Sequence, residues 1–300
     1  MTSAAPRAPF GHVLTAMATA FKPDGSVDFE GTGRIARHLV ANGNDGLIVS
    51  GTTGESPTTT VPEDGEILAA VRAAVGPDVT LVAGVGTNTT VHSVELAAQA
   101  QARGADGVLL VTPYYNKPSQ RGLLHHFEQD VAASELPVML YDVPGRTGTM
   151  ISLDTYRVVA QWDRVVAVKD AVGNFTRGVR MVDELGLAVY SGDDANNLGW
   201  LAHGAVGFVS VVGHAAGPLL RAMYEAWAAG DTTQARKIFA RMLPAIDAVM
   251  GVPNYGATTA KATMQLLGVL DNRHVRSPLV PLDDDEYAAL RAGLSASGLL

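Results

Sequence analysis

A chain of 300 residues that is 47% hydrophobic and only 17% charged can bury a substantial core and is not disordered by composition. Its 22 basic and 30 acidic residues leave a formal charge of −8, which argues against a nucleic-acid footprint and against attraction to an anionic membrane surface, while a local arginine or lysine can still hold a small anion. The absence of cysteine excludes a disulfide framework and any cysteine-ligated metal site.

Short, β-branched apolar runs at residues 13–18, 46–50, 80–85, 107–111, 138–143, 165–169, 188–190 and 206–211 read as strands. Stretches of helical period lie between them at 28–41, 62–75, 90–103, 122–133, 153–161, 175–185 and 196–202. Ser152 is placed to cap a helix start, and Gly43, Gly104 and Gly186 suit left-handed helix ends. Strands this uniformly apolar are buried on both faces, as in a parallel sheet. Eight βα units in succession predict an α/β fold, a closed (β/α)8 TIM barrel, whereas an open doubly wound sheet more often has five or six strands. Beyond the eighth strand the pattern is helical at 219–229, 233–250, 258–267 and 285–300, and Pro244 is predicted to kink or split the second of these. The expected organisation is a barrel core over 1–218, followed by the last barrel helix and a small C-terminal helical appendage over 219–300. No apolar run approaches the ~18 residues of a membrane span, and the N-terminus lacks the apolar core of a secretory signal, so a cytoplasmic protein is expected.

In such a barrel, reactive groups belong at the C-terminal ends of the strands. Lys169 ends the run Val165-Val166-Ala167-Val168-Lys169, where period two puts Val165, Ala167 and Lys169 on one face. Facing inward, it would be a desolvated amine with a lowered pKa, a nucleophile near neutral pH; facing outward, it would snorkel or pair with Asp170. Tyr141 ends its strand either as a proton donor or as an ordinary barrel aromatic. Arg146, in Val143-Pro144-Gly145-Arg146-Thr147-Gly148, is either a carboxylate clamp or a surface loop residue. The turn Gly51-Thr52-Thr53-Gly54-Glu55-Ser56 offers N–H groups and hydroxyls suited to an anionic oxygen, or is merely a polar βα turn. Pro113-Tyr114-Tyr115-Asn116 reads as a lid, a subunit contact or a packed surface pair. The shared placement of these signals at one end of strands two, four, five and six points to a single pocket.

Other signals carry less. The eight histidines show no metal-binding spacing, and His125-His126 read as surface residues at a helix start. Asp193-Asp194 read as turn or capping aspartates rather than a magnesium site.

In combination and order, G-T-T-G-E-S from Gly51, V-T-P-Y-Y-N from Val111, Y-D-V-P-G-R-T from Tyr141, V-K-D-A from Val168 and S-G-D-D from Ser191 resemble the dihydrodipicolinate synthase family of pyruvate-dependent class I aldolases, across nearly the whole chain. The run from Gly51 to Thr60 is most similar to actinobacterial members. The resemblance implies condensation of pyruvate with L-aspartate 4-semialdehyde on a lysine Schiff base, in the route to diaminopimelate and lysine, with no metal or organic cofactor. It implies Lys169 as the Schiff-base lysine, Tyr141 as proton donor and acceptor, and Thr52 linking Tyr141 to Tyr115 of a neighbouring subunit. Thr53 and the backbone at Val209 would hold the pyruvate carboxylate, and Arg146 that of the semialdehyde. It further implies a homotetramer built as a dimer of dimers. A sister aldolase acting on N-acetylneuraminate or a sugar keto acid, and a dead keto-acid-binding barrel, are the alternatives; Pro-Gly-Arg after the tyrosine favours the synthase. Ser56, Asn88 and Tyr114 match the pattern of lysine-inhibited members, whereas Val61, Asp64 and His92 depart from it, so weak or absent lysine inhibition is expected.

Overall fold

The computed structural model describes residues 7–253 and 255–300. Eight parallel strands, β1 (Val13–Ala16), β2 (Gly46–Val49), β3 (Thr80–Gly84), β4 (Gly107–Val111), β5 (Val138–Asp142), β6 (Val165–Asp170), β7 (Ala188–Ser191) and β8 (Gly207–Ser210), close in sequential order into a barrel, with β8 paired to β1. Helices α1 (Phe29–Ala41), α2 (Val61–Val75), α3 (Thr90–Ala102), α4 (Gln120–Ala132), α5 (Pro144–Thr147), α6 (Leu153–Val159), α7 (Phe175–Asp183), α8 (Asn197–Ala202) and α9 (Gly213–Ala228) lie in the connections and after β8. Three more, α10 (Thr232–Met250), α11 (Ala257–Leu266) and α12 (Asp284–Ala296), form the C-terminal appendage. The expected (β/α)8 barrel with a helical appendage is therefore the fold observed. Among the described residues, no helix is long and apolar enough to cross a membrane.

Side chains alternate along each strand between two apolar layers. Leu14, Ile48, Val82, Leu109, Met139, Ala167, Ala188 and Val209 fill the barrel interior, while Leu47, Val49, Leu81, Val108, Leu140, Val168 and Val189 face the helices. Phe10 plugs the N-terminal end, where the Tyr190 hydroxyl donates to Gly11 O at 2.9 Å and accepts from Phe10 N at 3.2 Å. That end is sealed by apolar packing, which leaves the C-terminal end for polar groups.

Three local expectations are corrected. Val165 does not share the face of Ala167 and Lys169: Val138 pairs with Val165 but Met139 with Ala167, so β6 holds an extra residue, Val166, and Val165 turns toward the helices. Helix α10 runs unbroken through Pro244, whose neighbour Ala245 donates its N–H to Ser297 Oγ at 3.0 Å. His126 is buried, unlike His125. The 100° step of α4 turns it inward, where it meets Asp130 at 3.0 Å and Thr90 Oγ1 at 2.9 Å. Helix α9 consists of two segments that meet at a kink at Ala216, with φ −97° and ψ 15°, and the second, running to Ala228, is close to the helix expected from residue 219. The division expected at residue 218 lies just after this kink.

One buried ion pair joins the appendage to the barrel. Lys261 of α11 meets Glu55 in the loop after β2, and both side chains are 1% exposed. Lys261 Nζ also donates to His274 O at 2.8 Å and lies 4.0 Å from the centre of the Phe21 ring. Burial pulls the ammonium down to about 8, and the Glu55 charge opposes that shift. Replacing Lys261 by Met would leave Glu55 buried without its cation, at a cost of about 3–5 kcal/mol. Urea unfolding should show that loss for Lys261→Met, and the double variant with Glu55→Gln should recover most of it; equal losses in both variants would refute the pair as the cause.

Candidate active site

Lys169 and Tyr141 are directly paired across β6 and β5, both side chains facing the barrel axis at its C-terminal end. Lys169 is 5% exposed, and its Nζ sits 4.1 Å from the centre of the Tyr141 ring. Asp170, the partner an outward-facing lysine would take, points to the opposite face and is engaged by Arg177. Gly192 leaves room for the lysine stem: a Cβ there would lie 3.0 Å from Lys169 Cγ and 3.1 Å from Cε.

Desolvation acts on the two groups in opposite senses. It lowers the Lys169 ammonium from its ordinary range to about 7; nearby Asp194 opposes this and Arg146 assists it. The same burial pushes the Tyr141 phenol up to about 12, with Arg146 pulling weakly the other way. At neutral pH the lysine is therefore about half free amine and the tyrosine a neutral phenol able to donate a proton.

The loop after β2 supplies the hydroxyls. Gly51 O accepts from Gly54 N at 3.0 Å and Ser56 N at 3.2 Å, and Thr52 O accepts from Glu55 N at 3.1 Å. Ser50 and Glu55 bracket the turn with φ of 54° and 61°, a left-handed conformation uncommon for residues with side chains. Gly84 lets β3 pass beneath, since a Cβ there would lie 2.3 Å from Ser50 O. The turn is held by Glu55, through Lys261 and through Arg276 N, which donates to Glu55 Oε2 at 2.9 Å.

Thr52, Thr53, Tyr141, Arg146, Lys169 and Asp193 meet around one cavity of about 380 Å³, which Val211, Tyr255 and Gly256 help to close. Arg146 is on α5, exposed, 4.7 Å over the Tyr255 ring and 3.5 Å from Tyr255 O. A smaller cavity of about 190 Å³ adjoins it, lined by Ser50, Leu109, Val111 and Tyr114. Thr52 and Tyr141 border both spaces. Two of the residues singled out from sequence do not line the larger cavity. Val209 packs its side chain in the interior below, where it pairs with Leu14 of β1. Tyr115 is 89% exposed at φ 70° and lines neither cavity within a single chain.

Asp194 is buried and fully occupied, accepting from Val211 N and Val212 N, both at 2.8 Å, from Asn197 Nδ2 at 3.1 Å and from Ser210 Oγ at 2.5 Å. Asp193 caps the turn that follows, accepting from Ala195 N at 3.1 Å. Asp193 is a capping aspartate, as expected from sequence, whereas Asp194 fixes the chain leaving β8. Sequence reasoning missed Tyr255 and Gly256, which reach the cavity from the appendage, and Lys261; no short spacing links them to the strands.

A sequence model of the Dihydrodipicolinate synthetase family matches residues 9–297. The chain is 50% identical to the 4-hydroxy-tetrahydrodipicolinate synthase of Kineococcus radiotolerans, over 99% of this chain and 96% of that one. It is likewise 50% identical to 4-hydroxy-tetrahydrodipicolinate synthase 2 of Streptomyces coelicolor, over 98% and 97%. The crystal structure of DHDPS from Cyanidioschyzon merolae with lysine bound superposes with a TM-score of 0.93 at 37% identity, covering 98% of this chain and 100% of that one. The chain belongs to the Dihydrodipicolinate synthetase family.

Proposed function

We propose that the protein condenses pyruvate with L-aspartate 4-semialdehyde to give 4-hydroxy-tetrahydrodipicolinate and water, the entry reaction of diaminopimelate and lysine biosynthesis. The observation that carries this reading is the buried Lys169 amine, near-neutral in pKa and stacked against a protonated Tyr141. The free amine attacks the pyruvate carbonyl carbon, and the carbonyl oxygen leaves as water once Tyr141 has delivered a proton to it. The iminium is an electron sink, so the methyl group loses a proton to form the enamine, and no metal or organic cofactor is required. The enamine carbon then bonds to the aldehyde carbon, whose oxygen takes up a proton. Finally the amino group of the condensed chain attacks the imine carbon and displaces the Lys169 nitrogen, which closes the ring and frees the enzyme.

Thr53 and the backbone at Val209 are assigned the pyruvate carboxylate. Arg146, at the exposed rim, is assigned the semialdehyde carboxylate, which a guanidinium can bind through two parallel hydrogen bonds. A phenol held near 12 needs a route for its proton, and Thr52 is suited to pass it on because it borders both cavities beside Tyr141. We infer that Tyr115 of a neighbouring subunit completes this relay through the smaller cavity, in a cytoplasmic homotetramer arranged as a dimer of dimers. The exposure of Tyr115 (89%) and Val91 (82%) supports an interface on that side. Pro144-Gly145-Arg146 after the tyrosine strand favours the synthase over a lyase for N-acetylneuraminate.

Borohydride reduction with pyruvate should fix one adduct, mapped to Lys169, and Lys169→Met should abolish both adduct and turnover. Because the ammonium loses its proton at about 7, the trapping rate should fall about tenfold from pH 7.5 to pH 6 and level off above pH 8. A flat profile from pH 5.5 to 8, or an adduct on another lysine, contradicts the assignment. Arg146→Met should raise the KM for the semialdehyde at least ~10-fold and leave pyruvate trapping intact, as loss of a bidentate carboxylate contact requires. With Val61, Asp64 and His92 in place, submillimolar L-lysine should leave steady-state rates unchanged; half-inhibition in that range would count against this expectation.

A further inference from the structure

On the outer face of the barrel, directly behind the catalytic pair, lies a buried charge cluster that the reaction itself does not use. The residues that follow Tyr141 and Lys169 are Asp142 and Asp170, and these two are also paired in register, as the last such pair of β5 and β6. By strand alternation both carboxylates point outward, and both side chains are fully buried. A single guanidinium joins them. Arg177, in the first turn of α7, binds Asp142 Oδ2 through Nη2 and Asp170 Oδ2 through Nη1 at 3.1 Å. Nη2 also donates to Ile151 O at 2.7 Å, and the Arg177 backbone N–H is held by Asn174 Oδ1 at 3.0 Å. Each carboxylate is braced in turn. Asp170 Oδ1 accepts from Val172 N at 2.8 Å and Gly173 N at 3.1 Å, while Asp142 accepts from Ile151 N and the Tyr156 hydroxyl at 3.3–3.4 Å.

We propose that Arg177 is a positioning residue: by clamping Asp142 and Asp170 it sets the spacing of the Tyr141 hydroxyl from the Lys169 nitrogen on the opposite face. Two observations carry this. The clamp grips each strand one residue beyond its reactive side chain, where the paired ladder ends, so any slip of β6 against β5 is transmitted directly to the pair. The same two strands carry the extra residue Val166 between the first and second of their five pairs, an irregularity that leaves the register above it in need of a second constraint. The planar fork of a guanidinium can span two carboxylates in fixed geometry, which a point-charge ammonium cannot.

The clamp's contribution should fall on the proton transfers between tyrosine and substrate rather than on substrate capture, whose contacts come from the loop after β2, from β8 and from Arg146. The inference rests on the Schiff-base reading of Lys169, and adduct mapping on the unaltered chain tests that reading separately. In Arg177→Met protein shown to be folded by circular dichroism, pyruvate should still be trapped at one adduct per chain. Its kcat should fall about 10- to 100-fold, the scale of a displacement of about 1 Å, with the pyruvate KM within about threefold of the parent. Arg177→Lys should recover part of kcat, since one ammonium can hold one carboxylate. Should Arg177→Met fail to fold, Asp170→Asn keeps the backbone contacts while weakening the ionic one, and it should lower kcat about 3- to 10-fold at unchanged KM. A kcat within twofold of the parent in folded Arg177→Met or in Asp170→Asn, a rise in KM alone, or a loss of activity matching the fraction unfolded would each overturn the proposal.

Discussion

Removal of water from the mouth of the barrel is the constraint on which the rest depends. One environment makes Lys169 a weaker base and Tyr141 a weaker acid. Those opposed shifts suit the roles proposed for the pair: an amine free to attack at neutral pH, and a phenol that keeps a proton to give. Neither shift requires a dedicated counter-ion. They follow from strand alternation, which turns both side chains inward, and from apolar packing beneath them by Met139, Ala167 and Val209. The sealed N-terminal end, with Phe10 as its plug, leaves entry only from the C-terminal side.

Desolvation of that kind is useful only if the groups cannot drift. Three separate devices hold the mouth in place, each using charges kept off the reaction path. Arg177 ties β5 to β6, Asp194 collects the N–H groups of Val211 and Val212 after β8, and Glu55 anchors the loop after β2 to Lys261 and Arg276. The last of these gives the C-terminal appendage a physical task. The left-handed Ser50 and Glu55 that shape the loop are conformations that surrounding contacts must impose. Helix α11 holds Glu55 from outside the barrel, and the chain just before it places Tyr255 under Arg146.

Much of this was legible from residues alone because barrel chemistry is local in sequence. Lys169, Tyr141, Arg146 and the Thr52-Thr53 turn each sit at the end of an apolar run, so locating the strands located them. The architecture followed from the eight-fold alternation of apolar and amphipathic segments. What stayed hidden depends on one-residue register or on distant pairing. Val166 shifts β6 by one position, which no count of alternating residues reveals, and so Val165 was assigned the wrong face. His126 differs from His125 only by a helical step of 100°. Lys261 and Glu55 are separated by two hundred residues, and nothing in either neighbourhood distinguishes a buried ion pair from two surface charges.

The two faces of β5 and β6 divide the labour of the site. Inward, Tyr141 and Lys169 face a cavity shared with Arg146 and Asp193, and burial is the first cause of the shifts in both. Outward, Asp142, Asp170 and Arg177 form a buried ionic cluster on the opposite face of the sheet. Burial still raises both carboxylates, Asp142 to about 6, while the guanidinium draws them back. The result is an ionic brace one residue away from the Tyr141–Lys169 pair. A two-residue repeat is enough to build this arrangement: within Tyr141-Asp142 and Lys169-Asp170, one side chain faces the cavity and the next takes the Arg177 guanidinium on the other face.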